Sequence, residues 1–268
     1  RLNFIFMQNI IIFFIKKNMS TPDFSTLKQV DGSLMQISSG YSGIWGVNSK
    51  NEIFYRNGIS SKKNEGIDWL QIDGALKDIS SGEYGVWGVN SNDEIFCRKG
   101  ITNVIPQGTN WEKIEGRLMQ ISSGIFGVWG VNSSNHLYFR EGLNYLNPTG
   151  SNWTQIDSGF KYISVGKCGV WGISPLNEIF FRNNVTYLTP KGNGWTKIEG
   201  TLNQISSGEY GIWGINENDE ILYRKGISKY NLKGKCWEKV TGNLKYISNG
   251  IFGTWGLCKE GLIYLKVE

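Results

Sequence analysis

Histidine is almost missing: the 268-residue chain holds one, His136, beside 5 prolines and 4 cysteines. No Cys/His metal cluster and no glycine-rich phosphate loop of the mononucleotide type can be traced. That argues against an enzyme, a metal and a cofactor. The cysteines fall at unrelated places: Cys97 and Cys258 follow their nearest tryptophan in the repeat described below, and Cys168 and Cys236 precede theirs. A disulfide framework would show paired positions, so four free thiols and a reducing compartment are expected. Charged residues, at 19%, are too balanced to imply nucleic acid as a partner. Long apolar runs are absent as well. The longest patch, Ile10 to Ile15, is too short to span a bilayer.

That patch lies in residues 1–18, which share no pattern with the rest. Lys16 and Lys17 follow the apolar run where a signal peptide would put positive charge ahead of it. Residues 1–18 are therefore expected to be an upstream extension outside the fold, with a weak membrane-associating tail or an atypical secretion signal as the alternatives, and residues 19–268 to form one domain that starts at Met19. Without Arg1, Lys16 and Lys17 the basic count falls from 28 to 25 against 23 acids, a net charge of +2. The expected location is cytoplasmic or non-classically secreted.

Glycine is plentiful, at 35, and tryptophan is strictly spaced. Trp45, Trp87, Trp129, Trp171, Trp213 and Trp255 each lie 42 residues after the last, inside copies of Gly-Val-Trp-Gly-Val-Asn. Six repeats at one period mark a repeat architecture. In repeat two, Leu76–Ser80 alternates apolar and polar, Val86–Val89 is mostly apolar, and Asn90–Asp93 reads as a turn. Glu94–Arg98 and Trp111–Ile114 supply two more strands across a longer loop, and Glu115-Gly116 turns into the next repeat. Four short antiparallel strands per unit predict a propeller blade. The glycines beside each core tryptophan, Gly88 for example, are expected to let the ring lie flat against the next blade.

A second tryptophan series, Trp69, Trp111, Trp153, Trp195 and Trp237, has only five members. Stepping back 42 residues from Trp69 gives Leu27, in Leu27-Lys28-Gln29-Val30-Asp31-Gly32. The C-terminal repeat ends after its third strand. The expected fold is thus all-β, a six-bladed propeller of four-stranded antiparallel blades, closed by Leu27–Val30 as the outer strand of the last blade.

The pattern Trp-x-x-Ile-x-Gly-x-Leu-x-x-Ile-Ser-x-Gly, seen at Trp111 through Gly124, continues as Gly-Val-Trp-Gly-Val-Asn at Gly127–Asn132. With Glu-Ile-Phe-x-Arg-x-Gly-Ile at Glu94–Ile101, it resembles the tectonin repeat. Proteins built of that repeat include fish-egg lectins, a propeller-type tachylectin, and fungal and slime-mould tectonins. The likeness spans about residues 26–268. It implies a propeller that recognises saccharides such as N-acetylglucosamine, lipopolysaccharide or O-methylated glycans.

Two recurring sets are candidate saccharide contacts. At the turn between the second and third strands stand Asn48/Glu52, Asn90/Glu94, Asn132 (with His136), Glu178 (with Ser174) and Asn216/Glu220. An amide beside a carboxylate can donate to and accept from vicinal hydroxyls; alternatively, the Asn closes its own turn. At the opposite end of the blade, Arg56, Arg98, Arg140, Arg182 and Arg224 pair with Trp69, Trp111, Trp153, Trp195 and Trp237. Guanidinium and indole suit sugar hydroxyls and C–H groups; alternatively, they form an internal cation–π contact. Blade six has Cys258, Leu262, Lys266 and Leu27 at these positions and is expected to be inactive. His136 takes a position that is Glu in four repeats and reads as a surface substitution. The favoured function is a non-catalytic, multivalent lectin for glycans on microbial or foreign cells, with Arg98→Ala weakening binding while the fold stays intact. An intracellular platform for a protein or lipid headgroup is the alternative, and an oligomer is compatible with either.

Overall fold

The computed structural model describes residues 27–60 and 62–266; the extension expected over residues 1–18 and the start at Met19 lie outside them. The described residues form six four-stranded antiparallel sheets. The N-terminal strand β1 is Lys28–Ser33, and blade one runs through β2 (Gln36–Gly40), β3 (Gly43–Val47), β4 (Glu52–Arg56) and β5 (Trp69–Ala75). Blade two is β6 (Asp78–Gly82), β7 (Gly85–Val89), β8 (Glu94–Lys99) and β9 (Asn110–Arg117). Strands β10–β13, β14–β17 and β18–β21 build blades three to five over Gln120–Ser158, Tyr162–Thr201 and Gln204–Asn243. Blade six combines β22 (Tyr246–Gly250), β23 (Gly253–Leu257) and β24 (Leu262–Lys266) with β1.

The expected clasp forms, with its strand over Lys28–Ser33 rather than Leu27–Val30. Lys28, Gln29 and Val30 stand opposite Leu265, Tyr264 and Ile263. Val30 and Leu34 are buried in one cluster with Trp255, Ile263 and Leu265. Since β1 covers the edge of β24, its backbone groups are paired rather than left as a template for other chains. The first strand of blade six also packs beside that of blade one, which closes the ring.

Neighbouring blades are joined at three radii. Innermost, the first strands of successive blades are not laddered to each other, so side chains make the bonds. The Ser38 hydroxyl accepts from Ser81 N–H, Ser80 from Ser123, Ser122 from Val165, Ser164 from Ser207, Ser206 from Asn249, and Ser248 from Ser39, all at 2.8–3.0 Å. These six bonds satisfy buried backbone donors around the whole circle. At middle radius the core tryptophans are fully buried. Four of them meet an outer tryptophan of the next blade edge-on rather than flat, as Trp45 does against Trp111 at 6.3 Å and 71°, and Trp87 against Trp153 at 6.2 Å and 79°. Edge-to-face is the arrangement an aromatic quadrupole favours.

The glycine that admits the next blade is also not Gly88. A Cβ there would meet Leu76 Cδ1 of its own repeat at 2.4 Å. Leu76 accordingly lies outside β6; it plugs the core, and its N–H donates to Asn51 O of blade one. The inter-blade glycine is Gly82, whose Cβ would stand 2.1 Å from the Ser123 carbonyl oxygen of blade three.

Glu115-Gly116, expected as a turn, lies inside β9, where a bulge separates Glu94↔Arg117 from Ile95↔Ile114. Gly116 has φ +100°, a conformation open to glycine. The Trp153 ring of blade three lies against it.

Candidate functional site

The Arg–Trp sets form the outermost joint. Each arginine stands last or next to last in a third strand and lies over the indole opposite it, at 5.1–5.2 Å from guanidinium carbon to ring centroid in blades one to five. Its Nε donates into its own long loop, Arg98 to Gln107 O at 2.9 Å, for instance. Its terminal nitrogens reach back to an acid on the preceding blade: Arg56 to Asp31, Arg98 to Asp73, Arg140 to Glu115, Arg182 to Asp157 and Arg224 to Glu199. The paired tryptophan reaches the same acid, by N–H to backbone oxygen in four blades and to the Asp157 carboxylate in blade four. The Arg98 side chain is 3% exposed and Asp73 66%, so the cation is buried while its partner stays wet. Bonding to the arginine holds Glu115 and Glu199 below the usual carboxylate range.

Those arginines bridge strand, loop and neighbouring blade, and the internal cation–π alternative describes them. The indoles remain half-buried. Arg98→Ala would strip packing from Trp111 and bonds from Gln107 and Asp73 together. It therefore alters a structural joint and is not the clean change of ligand contact expected above.

The Asn–Glu sets stand at the other end of the third strand. Four residues separate Glu52 from Arg56, about 13 Å along a strand, so one monosaccharide cannot meet both sets. Asn90 Oδ1 accepts from the N–H groups of Asn92 and Glu94 at 2.9 Å, and its amide donates to Glu94 Oε2 at 2.7 Å. Asn48 and Asn216 do the same, and Asn132 Oδ1 accepts from Ser134 and His136. Asn51, Asp93, Asn135, Asn177 and Asp219 close these turns at φ 61–66°, a conformation Asn and Asp tolerate. The second carboxylate oxygen takes a lysine: Lys113 on Glu94, Lys197 on Glu178 and Lys239 on Glu220. These lysines are the leading cause of the lowered carboxylate pKa in all three. The structure thus brings Asn to Glu and Arg to Trp, spends most of their polar capacity internally, and keeps the two sets apart.

Each first strand opens on a polar residue, Gln36, Asp78, Gln120, Tyr162, Gln204 and Tyr246, and all but Asp78 line the central channel together with the strand serines. The Tyr162 and Tyr246 hydroxyls bond across it at 2.9 Å. Burial pushes the Asp78 carboxyl up to about 7. The void is about 60 Å³, room for a few waters and far below the roughly 300 Å³ at which small-molecule sites begin.

Of the loops joining third to fourth strands, the charged one of blade one, from Ser60 to Glu65, is the contact that the platform alternative would use; a cleft between two such loops was not expected. Those of blades four and five enclose a cleft of about 310 Å³ lined by Phe181, Asn183, Asn184, Lys229, Tyr230 and Lys233. Tyr230 is 87% exposed, with Lys229 Nζ 4.7 Å over its ring. At the blade three–four junction the Lys191–Glu141 ion pair crosses the corresponding place. The available signal was Tyr, Leu and Val at loop positions where turn formers are the rule.

Among the described residues no group of three or more His, Cys, Asp or Glu could hold a metal ion, and no helix is long and apolar enough to cross a membrane. All four cysteines are free. Burial lifts the Cys97 and Cys168 thiols to about 12, which leaves them poor nucleophiles.

A ring of near-identical blades, with repeated polar sets at both ends and a channel too narrow for a ligand, defines a repeat propeller whose surfaces come in several versions. The Tectonin domain model matches residues 6–117, 29–169 and 128–242, and the chain belongs to that family. No curated protein matches it. Among solved structures it is similar to yeast RCC1 (Prp20), solved bound to Kap60, at 10% identity and TM-score 0.55 over 86% of this chain and 69% of that one. Human WBSCR16 gives 12% and 0.54 over 88% and 76%. YCF48 bound to D1 peptide gives 12% and 0.53 over 93% and 100%. At such identities these likenesses concern the fold alone.

Proposed function

We propose that this tectonin propeller is a non-catalytic, multivalent carbohydrate-binding protein for glycans on microbial or foreign cells. The observation that carries the reading is the cleft between the long loops of blades four and five. It offers an exposed aromatic face at Tyr230, side-chain amides at Asn183 and Asn184, and ammonium donors at Lys229 and Lys233. Aromatic faces take sugar C–H groups, while amides and ammonium groups take hydroxyls. The 42-residue period repeats the same loop positions at the other junctions between neighbouring long loops, with a different lining each time and, between blades three and four, with the Lys191–Glu141 ion pair across the place. Such sites are unequal. Weak single sites on a rigid ring still hold a surface displaying many glycans, because the second contact forms at high effective concentration. Family membership supports saccharides as the ligand class; N-acetylglucosamine, lipopolysaccharide and O-methylated sugars are the candidates. The Asn–Glu turns and half-buried outer indoles are secondary surfaces in this proposal.

A broad glycan array tests it. The chain is expected to bind a restricted set of saccharides, and Tyr230→Ala to weaken that binding roughly 3–10-fold with an unchanged melting temperature. Absence of any saccharide binding, or binding indifferent to Tyr230→Ala, would leave the reading without support.

A further inference from the structure

The propeller exposes its apolar side chains on one face. Of the eleven large hydrophobic residues that are exposed among the described residues, nine lie on the face of the long loops and only Met35 and Leu176 on the other. The excess sits at the tips, at Val104 in blade two, Tyr145 and Leu146 in blade three, Tyr187 and Leu188 in blade four, and Tyr230 in blade five. Leu146 and Leu188 are 91% and 94% exposed. Scattered exposed apolar residues need no explanation; a set confined to one face does.

Repetition gives these tips a common level. The loops follow third strands that start at equivalent positions, and those of blades two to five have equal length, so Val104, Leu146, Leu188 and Tyr230 stand 42 residues apart in sequence. They project along an arc from a rigid ring. The same five loops carry Lys62, Lys63, Lys191, Lys229, Lys233 and Lys235 against Glu65, Asp68 and Glu141. Six cations less three acids leave +3 on these loops; the turns between first and second strands on the same face add Lys167 against Glu83 and Glu209, so the face as a whole carries +2. Two of those acids, Glu65 and Glu141, are already paired with Lys28 and Lys191.

We infer that the long-loop face docks on an anionic lipid bilayer. Tyr and Leu tips at one height enter the interfacial zone, where amphipathic aromatic rings and apolar side chains are accommodated. The lysines between them meet lipid headgroups. A flat array of separated tips suits a surface that yields to each tip, whereas a folded protein partner would require a continuous complementary patch. The docking face shares Tyr230, Lys229 and Lys233 with the cleft; Leu146, Leu188, Lys62 and Lys63 lie outside the cleft lining and separate the two readings.

Co-sedimentation of the full chain with vesicles of phosphatidylcholine, with and without roughly one-third phosphatidylserine, is the test. Expected is binding to the anionic vesicles that weakens with added salt. Leu146→Asp with Leu188→Asp should lower the apparent affinity at least tenfold or so, and Lys62→Glu with Lys63→Glu should lower it severalfold. Leu176→Asp, on the opposite face, should change nothing. All these residues are exposed, so circular dichroism and melting temperature should match the parent in each variant. No binding to anionic vesicles overturns the inference. So does binding that survives the double leucine change, which would put the contact elsewhere in the chain, or binding lost equally through Leu176→Asp. A positive glycan array beside a negative vesicle assay would remove the lipid surface and leave the lectin reading in place.

Discussion

Val30→Asp is expected to destabilise the fold by roughly 3–5 kcal/mol, the range for an uncompensated buried charge. Val30 is 4% exposed and packs with Leu34, Trp255, Ile263 and Leu265. A carboxylate there has no cation within that cluster, and it sits on the strand that closes blade six opposite Ile263. In a domain of this size 1 kcal/mol moves the midpoint by about 2–4 °C, so the melting temperature should fall by on the order of 10 °C. Gln29→Asp, one position along the same strand with its side chain exposed, should shift it little. Thermal unfolding followed by circular dichroism measures both. Equal, small shifts would mean that β1 contributes little to the ring.

Gly82→Ala should be nearly as damaging, because its obstacle is backbone. The new Cβ would stand 2.1 Å from the Ser123 carbonyl oxygen and 2.3 Å from its carbon. Neither atom can turn away as a flexible side chain would, so the two blades must separate at the inner radius. Separation also stretches the bond from Ser123 N–H to the Ser80 hydroxyl, 2.8 Å long. Small-to-large strain of this kind costs typically up to about 3 kcal/mol, and urea unfolding should show it as a lower midpoint at unchanged slope. A midpoint equal to the parent's would show that the blades have slack which the inner circle of serine bonds does not suggest.

What could be read from the residues follows from what periodicity encodes. The 42-residue spacing of Trp45 to Trp255 and the missing sixth member of the Trp69 series contain blade number and closure, because both are facts about order along the chain. Contacts between blades are different. That Gly82 rather than Gly88 faces the next blade, and that Leu76 fills the junction between blades one and two, depends on which way each strand turns. The Asn and Arg sets were visible as repeated residues, yet repetition serves structure as readily as binding. Asn90 repeats because each blade needs its turn closed, and Arg98 because each joint needs its bridge. Phe181, Asn183 and Tyr230 meet across two loops in different repeats, so no spacing within a single repeat announces the cleft.

The most direct measurement concerns closure itself. Opposed residues on paired antiparallel strands lie about 4.5–5.5 Å apart at Cα, within disulfide reach, and Gln29 stands opposite Tyr264. In a chain with Cys236→Ser and Cys258→Ser, the pair Gln29→Cys/Tyr264→Cys should form a disulfide readily under mild oxidation, read as a mobility shift and a cross-linked peptide. Gln29→Cys/Tyr138→Cys, which places the second thiol at the equivalent position of blade three, should not. Cross-linking only with position 264 is the result expected of a ring fastened by its own N-terminal strand; cross-linking with neither, or equally with both, would contradict it.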